Sequence, residues 1–265
     1  MDIGIKSISK YIPKNKIDNQ AQAEKLGASS EFILNKIGNI HLSRKLPNEE
    51  TTDIAQKAVE KLFGKYKKLR KKIKCLIVIT QNPDGQGLPH SSAILHQKLG
   101  LLEDCAVFDI SLGCSGFVQG VSIAKGFMET QGFSDGLLVT ADPYSKIINL
   151  DDRDTALLFG DGATATWLGE KPLWSVVAND FGIISSKNQA LCVEDGKLKM
   201  HGREVFNFAA TNVPSSIKRV LAKAKLNMDD IDQVFLHQGS RFIVESIAKR
   251  IGAQNKTPFA AMNYG

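Results

Sequence analysis

The sequence predicts an α/β protein, and three observations support this class. Helical patterns alternate with short apolar strands along the 265 residues. A helix-then-strand unit at 51–80 is followed by a similar unit at 203–238, which suggests two related halves. The composition, with 43% hydrophobic and 23% charged residues, is typical of a globular protein with a substantial core. No low-complexity linker marks an independent second domain.

The elements before residue 105 follow from pattern and capping. The start of the chain alternates apolar and polar residues, which predicts a strand. A helix begins near 51–53, where threonine and aspartate are good N-caps, and shows an apolar face. The apolar strand at 75–80 is followed by a loop at 81–92 that is rich in glycine and proline. The pattern at 91–100 predicts another helix, which Gly100 ends.

The remaining elements are read in the same way. A buried strand at 105–112 leads into an apolar helix near 116–132, and a further strand covers 135–141. The segment 155–169 reads as strand, tight turn, strand. A helical pattern from Arg203 then precedes a strand at Gln233 to Leu236.

Composition and charge exclude several classes of protein. No apolar segment approaches the roughly 20 residues of a membrane span, and the N-terminus lacks the apolar core of a signal peptide. The four cysteines form neither a CxxC pair nor a disulfide framework, so we expect a reduced, cytoplasmic protein. The net charge of +6 owes much to the basic run 64–74, which could meet nucleic acid, a membrane surface or an acidic protein. No aromatic platform or zinc pattern supports nucleic acid, whereas an acidic partner stays open.

Cys114 is the first candidate catalytic residue. It lies between small residues in "DISLGCSGF", where a strand turns into the start of a helix. A helix N-terminus favours the thiolate, and its unpaired N–H groups can stabilise an oxyanion. Gly113 and Gly116 leave room for a substrate. A structural cysteine is the alternative.

His237 is the second candidate, because it directly follows the apolar strand in "FLHQGSRF". Catalytic residues of α/β proteins gather at the carboxyl ends of strands. The other four histidines lie in loops, polar segments or a predicted helix. The alternative is a capping or core histidine.

Four spaced segments together resemble the β-ketoacyl-acyl-carrier-protein synthase III family of the thiolase-like superfamily. "DISLGCSGF" resembles its nucleophile segment and "HQGSRF" its histidine segment, while "FGDGATA" and "MHGREVFNFA" resemble its glycine turn and pocket-lining segment. The resemblance implies a five-layered αβαβα fold with two pseudo-duplicated halves, which we place at 1–170 and 171–265. It also implies a homodimer that uses acyl-CoA as substrate, with an acyl carrier protein as partner and no cofactor or metal.

The resemblance further implies a two-step reaction. Cys114 takes an acyl group from acyl-CoA as a thioester. His237, with an asparagine, then stabilises the enolate that forms when a malonyl-carrier loses carbon dioxide, and this enolate attacks the acyl-cysteine.

Eight further residues match substrate-binding positions of the family. Phe32 and Lys36 replace the family's tryptophan and arginine at the CoA adenine, and lysine lacks the planar guanidinium fork. Ser240 stands where the initiating enzymes have asparagine, and Arg241 is displaced by one place. Other positions match the CoA entrance, the end of the acyl pocket contributed across the dimer, and the acyl tunnel: Arg153, Leu88, Gly202 and Phe206. An ion pair for Arg153, interface packing for Leu88 and core packing for Phe206 are the alternatives.

The sequence also departs from the family at its end. The chain stops at "AMNYG", and the family's asparagine would be the next residue, so we expect a truncated second half. Together these departures indicate a specialised relative of the housekeeping initiator.

Two other functions stay open. Cys114 could pass its acyl group to an alcohol or amine without decarboxylation. The chain could also be a non-catalytic partner subunit of a heterodimer.

Overall fold

The computed structural model describes all 265 residues and contains nine strands and eight α-helical segments. The strands are β1 Ile3–Tyr11, β2 Asn15–Asp18, β3 His41–Arg44, β4 Cys75–Ile79, β5 Ala106–Ile110, β6 Asp135–Ala141, β7 Ala163–Glu170, β8 Leu191–Glu194 and β9 Lys197–Met200. The helices are α1 Asn19–Gln22, α2 Ser30–Phe32 with a π-turn at Ile33–Ile37, α3 Thr51–Lys65, α4 Ser91–Leu99, α5 Gly116–Gln131, α6 Arg153–Ala156, α7 Gly202–Ala224 and α8 Arg241–Ile251. This mixture confirms the predicted α/β class.

The chain forms two compact units, each built from three segments. Unit 1 comprises Met1–Asn15, Arg44–Pro143 and Asp161–Val176. Unit 2 comprises Lys16–Ser43, Tyr144–Gly160 and Val177–Gly265. The units therefore interleave in sequence, and the division into related halves at 1–170 and 171–265 stays a prediction.

Unit 1 is organised around a five-stranded sheet in the order β1-β7-β6-β4-β5. Strands β6, β4 and β5 run parallel, whereas β7 is antiparallel to both of its neighbours. Because carboxyl ends of neighbouring parallel strands lie at one edge of a sheet, the segments after β4, β5 and β6 meet there. The predicted nucleophile follows β5 at this edge.

The core of unit 1 covers both faces of this sheet. Helices α3 and α4 contribute to one apolar cluster and α5 to the other. All five residues of β4 are buried, which explains its uninterrupted apolar sequence CLIVI. Helix α3 begins at Thr51, close to the predicted place, but its N-cap is Glu50 and not Thr51, Thr52 or Asp53. Glu50 and Asp53 form a reciprocal capping box.

The strand before Cys114 is less buried than predicted. Strand β5 is the outer strand of the sheet, and each of its five residues is half-buried. The sequence AVFDI is apolar enough for a central strand, so its pattern cannot reveal an edge position.

Unit 2 contains the hairpin of β8 and β9, helices α7 and α8, and a small apolar cluster around Ile33, Ile37 and Leu157. Two predicted strands are not formed. Thr155 lies in α6, because Asp152 caps this helix and also accepts from the Thr155 hydroxyl at 2.7 Å. The segment 233–236 has no regular secondary structure and no neighbouring strand, and its Val234 N–H donates to the Lys256 carbonyl at 2.9 Å.

Candidate active site

The turn that carries Cys114 is shaped by the packing beneath it. The Gly116 N–H donates to the Gly113 carbonyl at 2.8 Å, which places exposed Cys114 two residues before the start of α5. A Cβ on Gly116 would lie 2.5 Å from the Ile79 side chain at the end of β4, so the turn requires glycine there. The packing of this turn on β4 therefore places Cys114 at the carboxyl edge of the sheet.

The N-terminus of α5 suits a developing negative charge. Its first turn contains no acidic residue, and the Ser115 hydroxyl makes no capping bond but instead accepts from Gln119 Nε2 at 2.8 Å. The N–H groups of a first helical turn lack intrahelical partners and carry partial positive charge. This geometry can favour a thiolate at Cys114 and stabilise an oxyanion on a bound thioester.

The other cysteines are poorer candidates for the nucleophile. Burial raises the pKa of Cys75 to about 12 and that of Cys105 to about 11. Both thiols therefore stay protonated near neutral pH. Cys192 is half-buried in β8, and the segment that follows it is the strand β9 and not a helix.

The predicted histidine lies in unit 2, in the irregular segment 233–238. His237 is exposed, and its neighbour Gln238 fixes the local backbone. The Gln238 side chain donates to the Leu236 carbonyl at 2.9 Å and accepts from the Ala260 N–H at 2.6 Å. These two hydrogen bonds hold the backbone of the segment, which has no strand partner. The imidazole of His237 remains exposed.

Unit 2 brings together two of the predicted CoA-entrance residues. The Arg153 guanidinium lies 5.4 Å from the centroid of the Phe32 ring, within the range of a cation–π contact. Arg153 also donates to the Gly27 carbonyl at 3.5 Å and lies 3.8 Å from the Asp154 carboxylate. An aromatic face and a cation at the surface form a pair suited to a nucleotide.

Lys36 and Phe206, which the sequence placed in different binding regions, meet around one ring. The Lys36 Nζ lies 3.6 Å from the centroid of Phe242, and Phe206 stacks on Phe242 at 5.0 Å with an interplanar angle of 21°. Phe242 was missed in the sequence analysis. Its signal was an aromatic residue directly after Arg241 at the start of a helix.

Ser240, Arg241 and Gly202 have local structural contacts. The Ser240 hydroxyl caps α8 by accepting from the Ile243 N–H at 3.2 Å. The Arg241 guanidinium lies 5.3 Å from the Phe259 ring. Gly202 starts α7, and a Cβ there would have nothing within 4 Å, so space remains beside it. Substrate contact by these three residues stays a prediction.

Leu88 occupies the loop between β4 and α4 in unit 1. Its side chain is 92% exposed, which is unusual for a leucine. In the "FGDGATA" segment the Tyr264 carbonyl lies where a Gly160 side chain would be, so this position requires glycine. The tight turn predicted for this segment stays a prediction.

Two further features concern metal binding and membrane spans. No three His, Cys, Asp or Glu side chains come together in a way that could hold a metal ion. Among the helices, none combines the length and apolar character needed to cross a bilayer.

Known proteins similar to this chain share one family description. A family model described as 3-oxoacyl-[acyl-carrier-protein (ACP)] synthase III matches residues 108–188, which include Cys114. The β-ketoacyl-[acyl-carrier-protein] synthase III of Clostridioides difficile (strain 630) is 32% identical over 279 residues, covering 99% of this chain and 84% of the relative. That of Streptococcus pneumoniae serotype 19F (strain G54) is 30% identical over 278 residues, covering 98% and 84%.

A solved structure extends the match to the fold. The crystal structure of a 3-oxoacyl-(acyl-carrier-protein) synthase III superimposes with a TM-score of 0.93 at 30% identity, covering 100% of this chain and 87% of that one. The predicted thiolase-like fold is thereby confirmed. With this agreement in fold and in sequence over almost its whole length, the chain belongs to the β-ketoacyl-[acyl-carrier-protein] synthase III family.

Proposed function

We propose that this acyl-transferring synthase loads an acyl group from acyl-CoA on Cys114 and condenses it with a malonyl thioester on a carrier protein. The observation that carries the proposal is an exposed cysteine at the N-terminus of α5, on the carboxyl edge of the sheet. The segment that matches the family model contains this residue. No cofactor takes part in the proposed reaction.

In the first step, the Cys114 thiolate attacks the carbonyl carbon of the acyl-CoA thioester. A carbon–sulfur bond to Cys114 forms, and the tetrahedral oxyanion is stabilised by N–H groups of the first turn of α5. Collapse of this intermediate breaks the bond to the CoA sulfur, and CoA leaves as a thiolate that takes up a proton. The product is an acyl-cysteine.

In the second step, the malonyl thioester loses carbon dioxide as its carbon–carbon bond breaks. The electron pair passes into an enolate, whose oxygen receives a hydrogen bond from the His237 imidazole. The enolate carbon then attacks the acyl-cysteine carbonyl, and Cys114 leaves as the thiolate. The cysteine is thus regenerated in its starting state.

Substrate recognition follows from the contacts of unit 2. The Phe32 ring and the Arg153 guanidinium offer stacking and charge to the adenine and phosphates of CoA. Lys36, held over Phe242, adds a further cation. Gly202, Phe206, Ser240 and Arg241 complete the proposed substrate-binding set.

The carrier protein would meet a different group of residues. Exposed Lys249 and Arg250 in the last turn of α8 offer positive charge to an acidic carrier protein.

We assign the protein to the cytoplasm and propose that it acts as a homodimer. The edge of β5 presents unpaired backbone groups along a half-buried apolar strand, which a second copy can cover across a two-fold axis. Leu88 is the residue that would reach the acyl pocket of the partner subunit. Halves 1–170 and 171–265 are proposed as the related units of the fold.

Acyl loading and decarboxylation test the assignment separately. Intact mass after incubation with acyl-CoA should show one acyl adduct on the wild type and none on Cys114→Ala. His237→Ala should still form the adduct. Its rate of carbon dioxide release from a malonyl-carrier should fall by about 10²-fold or more, because one hydrogen-bond donor to the enolate is removed.

Three results would contradict the proposal. Loading that survives Cys114→Ala would place the nucleophile elsewhere. An adduct that passes to an alcohol or amine without carbon dioxide would identify simple acyl transfer. A folded wild-type protein that never forms an adduct would indicate a non-catalytic subunit.

A further inference from the structure

The loop that carries Leu88 is anchored at its start by one carboxylate. Asp142 is the first residue after β6, and its Oδ1 accepts three hydrogen bonds from the residues that follow β4. The donors are Thr80 Oγ1 at 3.3 Å, the Gln81 N–H at 3.1 Å and Asn82 Nδ2 at 2.6 Å. Because β4 and β6 are neighbouring parallel strands, Asp142 ties the two segments together at the edge that also bears Cys114.

Two more carboxylates hold the loop further along. Asp84 accepts from the Thr52 N–H at 2.9 Å and from the Thr52 hydroxyl. Asp109, on β5, accepts from the Ser91 and Ser92 N–H groups at 2.7 and 2.8 Å. The loop 80–92 is therefore fixed at its start, middle and end, while Leu88 projects into solvent.

The three anchors differ in what else they do. Asp84 binds the first turn of α3, and Asp109 binds the first turn of α4, so each also stabilises a helix. The hydrogen bonds to Asp142 come from the loop itself. Burial raises the pKa of Asp142, and the hydrogen bonds oppose that effect. Asp142 is half-buried, and its contacts with Thr80, Gln81 and Asn82 fix the start of the loop.

We propose that Asp142 is a positioning residue that sets the position of Leu88 and so determines which acyl chains the partner subunit accepts. This inference rests on the proposed function, in which Leu88 reaches the acyl pocket of the partner subunit. A shift of about 1 Å in a positioning element can change a rate by roughly 10²-fold. The substrate class concerned is acyl-CoA thioesters that differ in chain length.

The test compares Asp142→Asn with Asp135→Asn. Asp135 is the matched control, because it lies at the opposite end of β6 and accepts from Trp167 Nε1 at 2.8 Å. The rate of Cys114 acylation is measured by intact mass with acetyl-CoA and with octanoyl-CoA. Asp142→Asn should change the ratio of the two kcat/KM values by about tenfold, because a neutral acceptor holds the loop less firmly. Asp135→Asn should leave the ratio unchanged.

A second variant guards against a folding defect in the first. Asn82→Ala removes the 2.6 Å bond and keeps the carboxylate, so it should shift the ratio in the same direction. The double variant should shift it no further than Asp142→Asn alone, because both changes break one interaction. An unchanged ratio in both single variants, with the wild type acylated, overturns the inference. A wild type that no donor acylates overturns the proposed function as well.

Discussion

At the residue scale, the close packing of Gly116 on the Ile79 side chain determines the position of Cys114. Ile79 is buried at the end of β4, and its side chain occupies the space that side chains on Gly116 and Gly120 would need. Two glycines in one helix face normally weaken a helix. Here they let α5 approach the strand closely enough to bring Cys114 to the sheet edge.

Gly116→Ala should therefore destabilise the protein, whereas Gly126→Ala should not. The first change places a Cβ 2.5 Å from Ile79 Cγ2, and overpacking of this kind costs about 1–3 kcal/mol. The second adds a methyl group to open space in the same helix and should stabilise by roughly 0.5–1 kcal/mol. Urea unfolding measures both, and Gly116→Ala should also slow acylation of Cys114. Equal stability of the two variants would contradict this account.

Features that depend on neighbouring residues could be predicted from the sequence, whereas contacts between distant residues could not. The setting of Cys114 could be predicted, because a strand precedes it and a helix follows it. The setting of His237 was predicted wrongly, because the apolar segment before it forms no strand. Asp142 also follows a strand, but its role depends on donors that lie 60 to 62 residues earlier in the chain. Phe242 gains its role from Lys36 and Phe206, which are likewise distant in sequence. Contacts of this kind arise only from the tertiary fold.

At the scale of elements, the Asp180 side chain and the Asn179 carbonyl attach the segment 177–184 to α7. The Asp180 carboxylate, 6% exposed, accepts from Ser216 Oγ at 2.8 Å, Arg219 Nη2 at 2.7 Å and Lys223 Nζ at 2.9 Å. These three donors follow each other at helical spacing on one face of α7. The segment makes no strand ladder, so this cluster supplies its attachment.

The same cluster predicts a dependence of stability on pH. Hydrogen bonds from Arg219, Lys223 and Ser216 hold the pKa of Asp180 well below its usual range. Because the folded-state pKa is depressed, the stabilisation is present above the unfolded-state pKa of about 3.9 and is lost as pH falls through the folded value. Asp180→Asn should lower the urea midpoint at pH 7, and its difference from wild type should shrink below about pH 4. Exposed Asp232→Asn is the control, and a difference that grows on acidification would refute the assignment.

The errors at the element scale have a common cause. The segment 233–236 reads as a strand because Val234, Phe235 and Leu236 are apolar, and its burial does alternate along the chain. A strand, however, is defined by its neighbour, and local sequence does not encode whether one is present. The same limit explains β5, whose apolar sequence occupies an edge.

At the scale of the whole molecule, Leu88 and β5 present apolar groups from one unit to solvent. Leu88 is 92% exposed, and β5 leaves one side of its backbone without a strand partner. Proteins normally protect such edges with charge, bulges or a cover. The sequence AVFDI offers only Asp109 as a charge, and its carboxylate already caps α4. A second copy is the cover proposed above.

Leu88→Lys should weaken that dimer strongly. Burial of a leucine stabilises by about 1.5–3 kcal/mol, and a two-fold axis buries two copies, so loss of both corresponds to roughly 10²–10⁴-fold in the dimer Kd. Sedimentation velocity across protein concentration measures the constant, with unchanged thermal unfolding as evidence that each monomer stays folded. Leu150→Lys is the matched control, because Leu150 is also exposed, at 55%, and belongs to unit 2. A wild type that is monomeric at micromolar concentration, or a Leu88→Lys variant with an unaltered Kd, would show that Leu88 does not meet a second subunit.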